Sequence, residues 1–212
     1  MRVSKVTTRT GDKGQTDLGD GTRVPKNNVR IELIGSIDHL NSIIGWSMAD
    51  LNTKLKKDLQ SIQQDLFNIG AELSIPNSSL NLMKDARLAW VDKKIKDINS
   101  ELPPLKEFIL PGGSEISSRI HIARTECRKV ERNLVAFGDT EKLNKIHLIY
   151  FNRLSDYFFV LARKLQLLLR RHDRIQTSER QTVIHIQYLQ HPQYPTLLPF
   201  LYFYLGYKSY DP

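Results

Sequence analysis

The sequence predicts an all-α protein: an up-down bundle of four to five long helices preceded by an N-terminal loop. Three observations predict it. Apolar residues recur at the three-and-four spacing of a helix over most of residues 30–171. The periodic stretches are joined by short connections marked by Pro or Gly. No convincing strand alternation occurs in the first 171 residues, which leaves room only for a short strand at the very start. Long amphipathic helices with short connections bury their apolar stripes against one another as a bundle.

Residues 1–29 carry no helical period and read as a loop. The first helix follows in "RIELIGSIDHLNSIIGWSMAD", with Ile34, Ile37, Leu40, Ile44 and Met48 on one stripe. The second has Leu55, Leu59, Ile62, Leu66, Ile69 and Leu73 behind a Thr53 N-cap, and Pro76 stops it. The third runs through Leu88, Val91, Ile95, Ile98 and Leu102, and Pro103 and Pro104 end it. "KEFILPGGSEISS" is a break with two adjacent glycines, and Ser114 is the expected N-cap of the fourth helix. That helix carries Ile116, Ile120, Ala123, Cys127, Val130, Leu134 and Phe137, with Gly138 as its expected stop. The fifth runs from about Glu141 to Arg171. The chain thus divides into a bundle over residues 1–171 and a tail over 172–212. The tail holds six of the eight tyrosines, and its "QTVIHIQYL" reads as a candidate strand.

Composition narrows the function. The formal net charge is +8, which favours anionic partners without choosing among them. Cys127 is the only cysteine, so no disulfide or cysteine-based zinc site can form within the chain, and a reducing, cytoplasmic setting is expected. The longest apolar run, "TLLPFLYFYLGY", is too short to span a bilayer. The sequence contains no P-loop, no H-E-x-x-H and no E-x-x-H. Its six histidines show no metal-ligand spacing, so no protein metal site is expected.

Four stretches carry chemistry. On the fourth helix, "ARTECRKVERN" sets Arg124, Arg128 and Glu131 on one face, flanked by Lys129 and Arg132. Such a face is a solvated stripe or a cationic cradle for a polyphosphate, with Glu131 orienting an arginine. On the fifth, "YFNRLSDYFF" interrupts an apolar surface with Asn152, Arg153, Ser155 and Asp156. The opening "TRTGDKGQTDLGDG" offers glycines, hydroxyls and cations from which an anion-binding nest can form. Asp38 sits inside the apolar pattern of the first helix and calls for a cation partner.

Taken together, TRTGDKG, VPK, GSIDHLNS, FILPGGS, ARTECRKVER and FNRLSDYFF resemble, in order, the motifs of the ATP:cob(I)alamin adenosyltransferases of the propanediol-utilisation type, over about residues 3–171. The resemblance implies a ferritin-like bundle assembled as a homotrimer, with sites between subunits. It implies transfer of the 5′-deoxyadenosyl group of ATP to the cobalt of reduced corrinoid, with triphosphate released. The substrates are then ATP, with Mg²⁺ on its phosphates, and cobalamin; a reductase or an acceptor enzyme is the expected further partner, with neither nucleic acid nor membrane. Thr8, Arg9, Thr10, Gly11, Thr16, Asp17 and Lys26 match the family's nucleotide loop. Arg128, Lys129, Glu131 and Arg132 match its helical nucleotide motif, and Asn152 its nucleotide-contacting asparagine. Asp38 and Arg124 match an intersubunit salt bridge, and Phe108 the aromatic that excludes the corrinoid's lower ligand.

The sequence departs from the family pattern at His39, in place of a glutamate, and at Lys129, in place of an arginine. Asp17 stands where a small hydroxyl residue is usual, and the tail is not the usual ending. Two other readings stay open on the residues alone. One is a non-catalytic corrinoid or nucleotide carrier on the same fold; the other is a basic helical nucleic-acid binder.

Overall fold

Five helices follow a small hairpin in the computed structural model. The strands are β1 (Gln15–Asp17) and β2 (Arg23–Pro25), and the helices are α1 (Val29–Ser47), α2 (Thr53–Ser74), α3 (Asp85–Ser100), α4 (Glu115–Gly138) and α5 (Lys145–Gln176). The structure describes residues 7, 9–49, 51–77, 79–105 and 107–176, with side chains as far as residue 169. Nearly all of these belong to one compact unit, residues 1–173. Thr8 and the "QTVIHIQYL" segment lie outside the described residues. No helix among the described residues is long and apolar enough to cross a membrane.

Side-chain contacts fix the topology. α1 runs antiparallel to α2, since Asn41 O accepts from Gln63 and Leu73 O accepts from Arg30. It also runs antiparallel to α4, through Ser36–Asn133 near one end and Trp46–Arg119 near the other. α5 is antiparallel to α4, with Ala162 opposite Ser117 and Phe151 opposite Cys127. It is antiparallel to α2 as well, because Tyr150 meets Asp65 and His147 meets Glu72. α1 and α5 therefore each touch both α2 and α4, which places α2 and α4 at opposite corners of an up-down bundle. α3 covers the α2–α5 side through Arg87–Asp65, Lys94–Asp58 and the tilted Trp90–Tyr157 ring pair.

The periodic residues of the sequence fill the core. Leu40, Ile44, Leu59, Ile62, Ile69, Ile120, Ala123, Cys127, Val130, Leu134, Tyr150, Leu154 and Leu161 are fully buried. Helix ends differ from the expected ones in four places, the first being that α5 runs on to Gln176, past the expected end at Arg171. Asn52 caps α2, its side chain accepting from Leu55 N at 3.1 Å, and Thr53 is the first helical residue. Ser114 caps α4 as expected, accepting from Ser117 N. Gly138 stays within α4 instead of turning left-handed, and the chain leaves through Asp139. Glu141 does not open α5, because Asn144 takes the first turn by accepting from Ile146 N at 3.2 Å. The short strand allowed at the start proves to be a pair, joined antiparallel with Thr16 opposite Val24.

One polar network lies inside this apolar frame. Asp65 accepts from Arg87 Nε at 2.8 Å, Arg87 Nη2 at 2.6 Å and Tyr150 Oη at 2.6 Å. Burial, and then Asp65, push the Tyr150 hydroxyl well above the ordinary tyrosine range, so it stays a donor. Burial alone would lower the Arg87 pKa, but Asp65 more than offsets it. Replacing Asp65 by Ala strands two donors and should cost about 3–5 kcal/mol, read as a lower urea midpoint at unchanged slope. A loss below about 1 kcal/mol would show that the network is dispensable.

Candidate active site

The N-terminal loop is ordered by its own backbone. Gly14 N donates to Gly11 O at 3.1 Å, and Lys26 N to Gly14 O at 2.9 Å. Arg9 adopts a left-handed φ of 61°, which turns the chain into this loop. Arg23 then serves as its hub. The guanidinium donates to Thr10 O at 2.8 Å, to Gln15 Oε1 at 3.3 Å and to Asp17 Oδ1 at 3.0 Å. Asp17 and Arg23 are direct cross-strand partners in the hairpin. This pairing accounts for an acid in a loop expected to meet phosphate: its charge is answered across the strands. Lys26 reaches back over Gly11, where a Cβ would meet Nζ at 3.1 Å. Gly11 and Lys26, far apart in the loop, thus converge.

The hairpin docks on the end of α2. Gly19 N donates to Ser74 O at 2.8 Å, and Leu18 beside it is buried. A Cβ at Gly19 would stand 2.7 Å from Ser74 Oγ and 2.8 Å from Ile75 Cγ1, so only glycine allows this approach.

The second group lies between α4 and α5. Glu131 Oε1 accepts from Asn152 Nδ2 at 2.9 Å, and Asn152 Oδ1 accepts from Arg153 at 3.0 Å. Arg128 and Glu131 are half-buried, while Lys129 and Arg132 are exposed. Arg132 Nη1 donates to Arg128 O at 3.3 Å, and Lys129 stands 3.6 Å from Glu126. The charges of Glu131, Arg128, Asp156 and Arg124 all act on the buried Cys127 thiol. Burial is the larger cause and pushes that thiol well above its ordinary range, so Cys127 is a packed apolar residue rather than a nucleophile.

Both groups lie toward one end of the bundle, where α2 and α4 end and α5 begins. They occupy different corners of it: the loop sits on α2, and the cations project from α4. The geometry therefore gathers the predicted residues into two half-sites. Asp38 is exposed on α1, whereas Arg124 is buried on α4 at 5% exposure. Phe108 is half-buried in the connector between α3 and α4. Among the described residues, no group of three His, Cys, Asp or Glu side chains is arranged to hold a metal ion.

A model of the cobalamin adenosyltransferase family matches residues 6–165, three quarters of the chain and both half-sites. The chain belongs to that family. A cobalamin adenosyltransferase of Cupriavidus metallidurans is 51% identical over 166 residues, covering 77% of this chain and 89% of the relative. A corrinoid adenosyltransferase of Bacillus subtilis is 42% identical over 165 residues, covering 75% and 85%. Among solved structures, a variant PduO-type ATP:corrinoid adenosyltransferase from Lactobacillus reuteri, complexed with cobalamin and ATP, is similar at a TM-score of 0.73 and 36% identity. That likeness covers 78% of this chain and 96% of the other.

In this member of the adenosyltransferase family, sequence reasoning overlooked the residues that seat the loops. Gly19 was one glycine among several, and its signal appears only when Ser74 and Ile75 are seen against it. Arg23, which lies between the loop stretch and the VPK segment, is a structural hub. His39, the departure next to Asp38, lies 3.5 Å from Glu126 on α4.

His121 is buried beside Arg124, and burial first, then the Arg124 charge, lower its pKa to about 4. In the unfolded chain a histidine titrates near 6.5. The unfolded state therefore binds the extra proton between those values. Stability contributed by neutral His121 is complete above pH 6.5 and is lost as pH falls toward 4. Unfolding midpoints measured from pH 7.5 to 4.5 should decline over this window, and His121→Gln should flatten the decline. An unchanged profile in that variant would show that His121 does not set it.

Proposed function

We propose that the protein transfers the 5′-deoxyadenosyl group of ATP to the cobalt of a reduced corrinoid, giving adenosylcobalamin and triphosphate. The observation that carries the reading is a built anion cradle in a chain of this family. Glu131, between Arg128 and Arg132 on α4, is held by Asn152 of α5 at 2.9 Å.

The chemistry asks little nucleophilic work of the protein. The electron pair of Co(I) becomes the bond to C5′ as the C5′–O bond breaks, and triphosphate leaves with the pair of the broken C5′–O bond. The protein must align ATP with cobalt and answer the charge that grows on the leaving group. Arg128, Lys129 and Arg132 supply fixed charge on α4. The amides of the loop, with Arg9, Thr10, Gly11, Thr16 and Lys26, supply donors from the other half-site. Thr8 and Asp17 belong to the same loop in this assignment. Mg²⁺ arriving on the ATP phosphates neutralises part of their charge when bound. Phe108 keeps the corrinoid's lower ligand, and water, away from cobalt.

The two half-sites at different corners support a homotrimer in which the loop of one subunit faces α4 of the next, closed by Asp38 and Arg124 across the interface. We assign this activity to residues 1–171, with 172–212 as an appended tail, and place the protein in the cytoplasm beside a reductase or an acceptor enzyme.

The test is full-length protein with ATP, Mg²⁺ and cobalamin under strong reduction, following the cobalt–carbon product by absorbance. Product should form, and Arg128→Ala should reduce kcat/KM at least ~100-fold with the unfolding midpoint retained. Absence of product from the unaltered protein, where a relative turns over, would refute the activity. Full turnover in Arg128→Ala would show that the α4 cradle is misassigned.

A further inference from the structure

The connector that carries Phe108 ends in two glycines with left-handed backbone, Gly112 at φ 153° and Gly113 at φ 102°. Residues of this kind have the widest backbone freedom and need an external lock to hold one conformation. The connector runs beside α5, and three side chains of that helix reach it. Arg163 donates to Pro103 O at 2.6 Å, Lys164 pairs with Glu101 at 2.9 Å, and Gln166 Oε1 accepts from Ser114 N at 2.7 Å.

The first two grip an exposed stretch, where such contacts compete with water. Gln166 differs. It is half-buried, and its amide fills the space beside Gly113, where a Cβ would stand 2.6 Å from Cδ. Ser114 is also the N-cap of α4, so Gln166 holds the point where the connector becomes helix. Ser117 Oγ, 3.1 Å from both Gly112 O and Ala162 O, closes the same turn onto α5.

We propose that Gln166 is a positioning residue for adenosyl transfer: through Ser114 N and the space beside Gly113 it fixes the end of the connector, and with it the Phe108 segment, on the corrinoid side of the site. The assignment rests on the reading of Phe108 given above. Its physical content is selective. A connector held in one conformation spares corrinoid binding the cost of ordering it. The nucleotide loop is seated elsewhere, on α2, so ATP binding should not depend on Gln166.

Gln166→Ala, Gln166→Glu and Phe108→Ala in the full-length protein test it. Gln166→Ala should raise KM for the corrinoid about tenfold while KM for ATP stays within about twofold. It should also remove most of the electron paramagnetic resonance signal of bound cob(II)alamin lacking its lower ligand. Gln166→Glu keeps an acceptor oxygen for Ser114 N and should restore both. Hydrogen exchange of residues 104–114 should quicken in Gln166→Ala whether or not the protein turns over. Unchanged exchange, or a corrinoid KM that stays put or rises only together with the ATP KM, would overturn the proposal. A neutral Phe108→Ala would refute the reading of Phe108 and with it this assignment, whereas an impaired Phe108→Ala beside a neutral Gln166→Ala would overturn the role of Gln166 alone.

Discussion

Arg30 is the knot on which the functional end of the bundle depends. It stands in the first turn of α1, is 5% exposed, and touches three other parts of the chain. Its guanidinium donates to Leu73 O at the end of α2, pairs with Glu141 in the α4–α5 connection, and lies 4.9 Å from the Phe137 ring near the end of α4. A charge so deeply placed is tolerable because two of its nitrogens have acceptors and its face lies over a ring. The knot holds the ends of α2 and α4 and the approach to α5 in register. The hairpin then docks one residue away, on Ser74, so its placement inherits the geometry that Arg30 fixes.

This arrangement explains why the two half-sites stand apart in the chain. A four-cornered bundle has only so much surface at one end, and here α2 takes the loop while α4 presents the cations. Neither half is a complete anion site. The loop supplies backbone donors, and one of its cations, Arg23, is consumed in holding Thr10, Gln15 and Asp17. The α4 face supplies cations on a rigid helix but no backbone donors, because helical amides are already bonded. Triphosphate would need both kinds of partner, which is why the proposed assembly sets α4 of one subunit against the loop of another.

The fold was largely legible in the sequence because its signal is periodic and redundant. Six apolar residues in α2 all agree on one face, and no single substitution could obscure that. Helix ends were less legible. Asn52 and Thr53 are both good cap formers, and only the hydrogen bond from Leu55 N decides between them. Gly138 looked like a stop because glycine often turns left-handed, yet nothing in local chemistry forces it to. The motifs of the candidate site were legible in the sequence, but their grouping was not. The acid at Asp17, in a loop of cations and hydroxyls, has an account only once the register of the hairpin sets it opposite Arg23. Buried polar clusters such as Asp65–Arg87–Tyr150 leave no sequence trace, since their members are about twenty to eighty-five residues apart.

The seating of the loops follows from what a polar segment can offer a bundle. A loop that must meet phosphate or corrinoid cannot bury much apolar surface of its own, so hydrophobic burial alone gives it little anchorage. It can still be held by backbone hydrogen bonds if it comes close enough to a helix. Glycine makes that approach possible, and the same solution appears twice. Gly19 comes against Ser74 and Ile75 where a Cβ would collide, and its N–H bonds Ser74 O. Gly113 comes against Gln166 where a Cβ would collide, and the next N–H bonds Gln166 Oε1. In both places a missing side chain is matched by a specific neighbour on a rigid helix, and a single backbone donor completes the contact. The bundle thereby lends its order to two glycine-rich segments that would have little of their own, one the N-terminal loop and one beside Phe108. Order supplied in advance is what positional catalysis requires, since the protein contributes alignment and charge rather than a nucleophile.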